Sequence, residues 1–143
     1  MDVAAVLTTR FIGRHLTRVV RREHDWAFGF GDDPALGLRA SCPWRILKEG
    51  RIAFTDSDDG QQFGLPAPLD GEEVVRRLVG QNSIERISIH PETGDLSIVF
   101  SEGTILEVLN MSSGYEGWEI GDAGISVIAT GGGELAIYNP SPK

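Results

Sequence analysis

The sequence predicts a β-rich α+β fold in which a unit made of one short helix followed by antiparallel strands occurs twice. Three observations lead to this prediction. Patterns in the first half of the chain return about seventy residues later. Apolar residues alternate with period two along many short segments, which is typical of half-buried strands. The 18 glycines among 143 residues indicate many tight turns rather than long helices.

The two copies are predicted to be related by a pseudo-twofold axis, since corresponding segments follow each other in the same order. Repeat 1 covers about 2–55, a connecting loop covers 56–69, and repeat 2 covers about 70–138, all within a single domain 1–143. The matching segments are 6–13 with 73–80, 26–30 with 96–100, 36–40 with 104–108, and 44–46 with 118–120.

Each repeat is predicted to open with a helix. Asp2 is a suitable N-cap for a helix that ends at Gly13. In the second repeat Asp70 takes the N-cap position, apolar residues recur at helical spacing over 74–79, and Gly80 follows where helices commonly end. Strands are predicted at 16–22, 26–30, 36–40, 45–47, 51–55, 84–90, 96–100, 105–109, 117–120, 125–129 and 135–138.

The net charge of −8 is carried entirely by the second half of the chain. Residues 1–66 hold nine basic and nine acidic residues, whereas residues 67–143 hold four basic and twelve acidic ones. This balance argues against nucleic-acid binding, which needs a basic face, and favours a basic protein partner. The chain has one cysteine, no apolar run of membrane-spanning length and no secretory signal, so we expect a cytoplasmic protein that does not enter membranes.

The segment 110–119 is the most distinctive candidate site, since it places aromatic and acidic residues among small polar ones between two strands. Aromatic anchors beside polar groups are typical of recognition surfaces. The corresponding loop of the first repeat, 41–45, is expected to face it or to share one end of the sheet. The predicted contact residues are Asn110, Ser112, Ser113, Tyr115, Glu116, Trp118, Glu119, Trp44 and Arg45. The alternative for Trp44 and Trp118 is that they are equivalent core anchors.

A second hypothesis is a small-molecule site or enzyme in a groove between the repeats. His24, Asp25 and Cys42 would line this pocket, together with Asn110 and Glu116. No catalytic motif surrounds these residues, so an enzyme is the less favoured interpretation. No metal-ligand spacing or cofactor motif occurs, and Gly131-Gly132-Gly133 is predicted to join two strands of a hairpin. A third hypothesis is a structural subunit whose strand edges pair, so the chain is expected to be a monomer or a homodimer.

Three motifs, SCPWRI at 41–46, SSGYEGW at 112–118 and GGGEL at 131–135, occur in order along the chain. In these motifs it resembles an uncharacterised family of small bacterial proteins, over nearly its full length. The resemblance implies no established activity or catalytic residues. Small acidic bacterial proteins of this kind are suspected of being immunity proteins in toxin–antitoxin or contact-competition systems. The expected function is therefore protein–protein binding, as an immunity-like acidic inhibitor of a basic toxin domain.

Overall fold

The computed structural model describes residues 1–139, in which two helices and eleven strands form two antiparallel sheets. The predicted class, a β-rich α+β fold with two short helices, is confirmed. The helices are α1 (Val3–Phe11) and α2 (Gly71–Val79). The strands are β1 (Leu16–Arg21), β2 (Trp26–Phe30), β3 (Gly37–Ala40), β4 (Trp44–Lys48), β5 (Arg51–Thr55), β6 (Ile84–Ile89), β7 (Leu96–Phe100), β8 (Thr104–Val108), β9 (Trp118–Gly121), β10 (Ser126–Gly131) and β11 (Glu134–Tyr138).

The helices begin at the predicted aspartates. The Asp2 carboxylate accepts a hydrogen bond from the backbone N–H of Ala5 at 3.1 Å, and Asp70 does the same for the N–H of Glu72. Each contact satisfies one of the N–H groups that have no partner inside the helix. The first helix ends at Phe11, two residues before the predicted end at Gly13, because Ile12 already leaves the helical conformation with a ψ of 136°.

Each sheet combines strands from both halves of the chain. The six-stranded sheet has the order β1-β2-β3-β9-β10-β11, and the five-stranded sheet has the order β6-β7-β8-β4-β5. The first five strands in each order correspond: β1, β2 and β3 to β6, β7 and β8, and β9 and β10 to β4 and β5. Strand β11 has no counterpart in the first half. Neither predicted repeat therefore forms a sheet by itself.

The registers at the two junctions between halves also correspond. Ala40 of β3 lies opposite Trp118 of β9, and Val108 of β8 lies opposite Trp44 of β4. The β1–β2 and β6–β7 pairs both show a register shift after their first residue pair. A duplicated unit would produce these agreements, although the duplication itself stays a prediction.

The hydrophobic core lies between the two sheets and contains residues of both. Phe28 of β2 packs edge-on against Trp44 of β4 with ring centroids 5.3 Å apart. Phe30 of β2 and Phe100 of β7 lie with centroids 6.3 Å apart. Such aromatic pairs bury large areas and bring together the inner faces of the two sheets.

The two helices cover two of the four sheet edges. The N–H of Ile87 on β6 donates to Thr8 Oγ1 of α1 at 2.9 Å. On the other side, the N–H of Arg21 on β1 donates to the Glu72 carboxylate of α2, also at 2.9 Å. Each helix thus satisfies a backbone group on the first strand of the opposite half, which protects an otherwise unpaired edge.

The connection between the halves starts with a 3-10 helix, Asp56–Asp58, and continues over the surface, where residues 60–68 are exposed. Arg21 anchors it, since its guanidinium donates to Asp59 at 3.1 Å and to Asp70 at 3.2 Å. The same guanidinium lies 5.4 Å from the ring centroid of Trp26. Residues 60–68 of the predicted connecting loop 56–69 therefore lie at the surface.

Candidate functional site

Five connections between strands meet at one end of the molecule, which we call the loop end. It comprises residues 22–25, 41–43, 90–95, 110–117 and 131–133, together with Asp56. The N–H of Ser41 donates to the carbonyl of Gly117 at 2.8 Å, so the loops 41–43 and 110–117 adjoin, as the sequence suggested. The N–H of Gly132 donates to the carbonyl of Ser112 at 2.9 Å and brings the β10–β11 turn against the same loop.

The loop 110–117 presents two large side chains to solvent. Ser112 Oγ accepts hydrogen bonds from the N–H groups of Gly114 and Tyr115, at 3.1 and 2.9 Å, which holds the loop in a tight turn. Beyond this turn the Tyr115 side chain is 82% exposed, and that of Met111 before it is 73% exposed. Ser113 and Glu116 are also exposed.

Asn110 holds the loop 110–117 against the β6–β7 turn and contributes little exposed surface. Its N–H donates to the Asp95 carboxylate at 2.8 Å, and its Nδ2 donates to the carbonyl of Thr93 at 3.0 Å. Its Oδ1 is buried and has no hydrogen-bond partner among the described residues. Asn110 thus positions the loop on the β6–β7 turn.

The tryptophans Trp44 and Trp118 lie in the core, not on the surface. Both are almost completely buried, and Trp118 Nε1 donates to the carbonyl of Gly94 at 2.9 Å. The structure thus favours the alternative interpretation of these two residues as equivalent core anchors. Buried indole rings offer no contact area to a partner.

Arg45 and Glu119 follow the tryptophans and point to the outer faces of the two sheets. Arg45 pairs with Glu107 across β4 and β8 at 2.7 Å. Glu119 pairs with Arg39 and accepts a hydrogen bond from Ser126 Oγ at 2.6 Å. Successive side chains of a strand point to opposite faces of the sheet. Applied to residues 44–46 and 118–120, this alternation could have placed Arg45 and Glu119 on the outer faces and not at the loop end.

The residues of the predicted pocket are divided between two shallow depressions on either side of Cys42. The first, of about 280 Å³, is lined by His24, Asp25 and Cys42 among others, and also by Asp56. The second, of about 180 Å³, lies between residues 41–43 and 111–117 and includes Glu116. Asn110 lines neither depression, so the five residues do not surround one cavity.

The groups around Cys42 are not arranged for nucleophilic catalysis. Burial raises the pKa of the Cys42 thiol to about 12, and the nearby carboxylates of Asp56 and Asp95 add to this shift. A reactive thiol needs the opposite, a lowered pKa in a positive environment. The Asp25 carboxylate is bound to Arg22 at 2.7 Å, and the His24 side chain is exposed.

The loop end is acidic. Within the segments that define it, six carboxylates stand against one arginine. Burial also raises the pKa of Asp56, against the lowering effect of hydrogen bonds from the backbone N–H groups of Trp44 and Ser57. The carboxylates are Glu23, Asp25, Asp56, Glu92, Asp95 and Glu116, and the arginine is Arg22.

Sequence reasoning missed five members of this surface: Glu23, Asp56, Glu92, Asp95 and Met111. Met111 was detectable as an isolated apolar residue inside a polar loop. Asp56 and Glu92 join the surface only through the folding of distant segments, and no local pattern marks them.

Comparison with known proteins gives no match, whether to family models, to curated proteins or to solved structures. Among the described residues, no three His, Cys, Asp or Glu side chains are grouped so as to hold a metal ion. Neither helix within residues 1–139 has the length and apolar composition needed to cross a bilayer.

Proposed function

We propose that the protein binds a basic protein through its loop end and acts as an immunity-like inhibitor of a basic toxin domain in the cytoplasm. The observation that carries this proposal is the pair of exposed side chains, Met111 and Tyr115, on a hydrogen-bonded loop that also carries the exposed Glu116. Monomeric proteins expose scattered apolar residues, but an aromatic and a methionine on one ordered loop are typical of interface anchors.

The charge of the loop end supports a basic partner. Six carboxylates and one arginine give this surface a large share of the net charge of −8. A field of one sign speeds the encounter with a partner of the opposite sign and helps to align the two surfaces. Glu116 is exposed beside Tyr115, so it would lie at the rim of the contact.

The small-molecule hypothesis receives less support. Ligand pockets usually measure about 300–1,000 Å³ and are mainly apolar. The two depressions beside Cys42 measure about 280 and 180 Å³, and both are open at the surface. The carboxylate of Asp25 is already paired with Arg22, so it is less available to orient a ligand.

The test is affinity capture from a lysate of the native host with matched variants as bait. The loop variant combines Met111→Ala with Tyr115→Ala. The control combines Phe63→Ala with Leu65→Ala, which removes two other exposed apolar side chains from the connecting segment. We expect wild type and control to retain a basic protein that elutes with salt, and the loop variant to lose it.

Binding of the captured protein is then measured directly. Truncation of a central anchor typically costs about 2 kcal/mol, so we expect Tyr115→Ala to raise its Kd about thirty-fold. Glu116→Lys should slow association most strongly at low salt. Equal affinity of the loop variant and the control would show that the partner binds elsewhere, and capture of no partner at low salt would contradict the binding function.

A further inference from the structure

Strand β11 forms an edge of the six-stranded sheet that no described residue covers. The helices cover β1 and β6, and α2 also contacts β5, the second edge of the five-stranded sheet. Within residues 1–139, β11 pairs with β10 alone. Such an edge exposes a row of backbone N–H and C=O groups that can pair with another strand.

The hairpin β10–β11 is nearly uncharged, although it belongs to the acidic half of the chain. Between Ser126 and Tyr138, Glu134 is the single charged residue. Ile137 and Tyr138 are 42% and 64% exposed. Strand edges that avoid association usually carry lysine or proline, and β11 has neither. Depletion of charge together with exposed apolar and aromatic side chains is typical of an interface core.

The inner face of β11 extends beyond the opposite sheet. The six-stranded sheet has one strand more than the five-stranded sheet, and that strand is β11. Leu135 packs at the border of the core, whereas Ile137 on the same face stays largely exposed. A second β11 placed alongside would cover Ile137.

We propose that β11 pairs antiparallel with β11 of a second copy, so that two six-stranded sheets become one continuous sheet with Ala136 on the twofold axis. In this register Leu135 faces Ile137 of the second copy, and Glu134 faces Tyr138. No like charges meet, and the small Ala136 side chains face each other at the centre. The contact uses the same strand on both copies, so it closes after two copies.

We expect the proposed dimer to be weak. We also expect salt to affect dimerisation in the opposite way from binding of the basic partner. A contact limited to one strand is small compared with the ~1,200–2,000 Å² of a stable complex, so the dimer should be reversible. Each copy carries a net charge of −8. Salt screens the repulsion between the copies and should strengthen pairing, whereas it weakens binding of a basic partner.

Sedimentation velocity over a wide range of concentrations tests this proposal. Wild type should shift from monomer to dimer as concentration rises, and at lower concentration when salt is added. Ile137→Lys places a charge on the edge and should keep the protein monomeric. The matched control is Ile52→Lys on the β5 edge, whose side chain is 58% exposed; this variant should dimerise like wild type.

A disulfide trap tests the register. Opposed Cα atoms in an antiparallel pair lie about 4.5–5.5 Å apart, within the range of about 4.4–6.8 Å that a disulfide spans. In a Cys42→Ala background, Ala136→Cys should form a covalent dimer on mild oxidation, and Ile52→Cys should not. A wild type that stays monomeric at every concentration, a dimer lost through Ile52→Lys, or cross-linking at position 52 instead of 136 would each overturn the proposal.

Discussion

Asp59 connects three parts of the molecule through one carboxylate. It accepts a hydrogen bond from Arg21 of β1, and a second from the N–H of Gly71 at 2.7 Å, at the start of α2. The Arg21 guanidinium is the main cause that lowers the pKa of Asp59, although partial burial acts against it. The charged form of Asp59 is therefore more stable in the folded protein than in the unfolded chain.

This lowered pKa predicts how stability depends on pH. The stabilisation from Asp59 is present above the pKa of the unfolded chain, about 3.9, and is lost as pH falls through the folded pKa. Asp59→Asn keeps an acceptor oxygen but removes the charge. We expect it to lower the free energy of unfolding by about 1 kcal/mol at pH 7, because Arg21 is partly exposed to solvent.

Urea unfolding of the Asp59→Asn variant at pH 7 and near pH 2 measures this effect. The difference from wild type should shrink at the lower pH, because the stabilisation from the charged carboxylate is lost as pH falls through the lowered pKa of folded Asp59. Asp32→Asn is the matched control, since Asp32 is exposed in a turn. An equal loss of stability at both pH values would show that the Asp59 charge is not the cause.

At the scale of the strands, one ion pair lies at each of the two junctions between the halves. In both pairs the arginine belongs to the first half and the glutamate to the second. Arg39 of β3 lies opposite Glu119 of β9, and Glu107 of β8 lies opposite Arg45 of β4. If each half closed on itself in the same register, Arg39 would face Arg45 and Glu107 would face Glu119. Like charges directly opposite destabilise a strand pair, so these four residues favour the exchanged arrangement.

A double-mutant cycle on β4 and β8 tests this role. Arg45→Glu should lower the free energy of unfolding by about 1 kcal/mol, and adding Glu107→Arg should restore most of it. In the double variant, however, closure of each half on itself would bring opposite charges face to face, so this closure is no longer disfavoured. We therefore expect a lower yield of monomer on refolding for the double variant than for wild type, measured by size-exclusion chromatography. Equal yields would show that the charges do not select the pairing.

The helices and strands of this fold follow from local patterns, and their predicted bounds differ from the observed ones by at most two residues. The pairing of strands between the two halves does not follow from local patterns, because β3 and β9 bring together residues about 80 positions apart. Opposite charges at 39 and 119, and again at 45 and 107, were the available signal. At the loop end, Tyr115 and Glu116 were recognisable as loop residues, whereas Asp56 and Glu92 depended on long-range contacts.

At the scale of the whole molecule, neither half contains a complete sheet, and this predicts how the chain tolerates division. The exposed connection 60–68 is a suitable place to cut, since its backbone makes few contacts with the core. Two chains, residues 1–64 and 65–143, should each lack stable tertiary structure alone. When mixed, they should regain the near-ultraviolet circular dichroism of buried Trp44 and Trp118. A folded half in isolation would contradict this expectation.

During synthesis, residues 1–69 leave the ribosome with three strands of one sheet and two of the other, and with a helix whose strand partner, β6, does not yet exist. At about 5–20 residues per second, residues 70–143 take about 4–15 s to follow. Throughout that interval Phe28 of β2 can already pack against Trp44 of β4, but Phe30 lacks Phe100 and the apolar faces of β1 to β5 remain only partly covered. The time before the second half emerges is therefore when chaperones and proteases have most access to this protein.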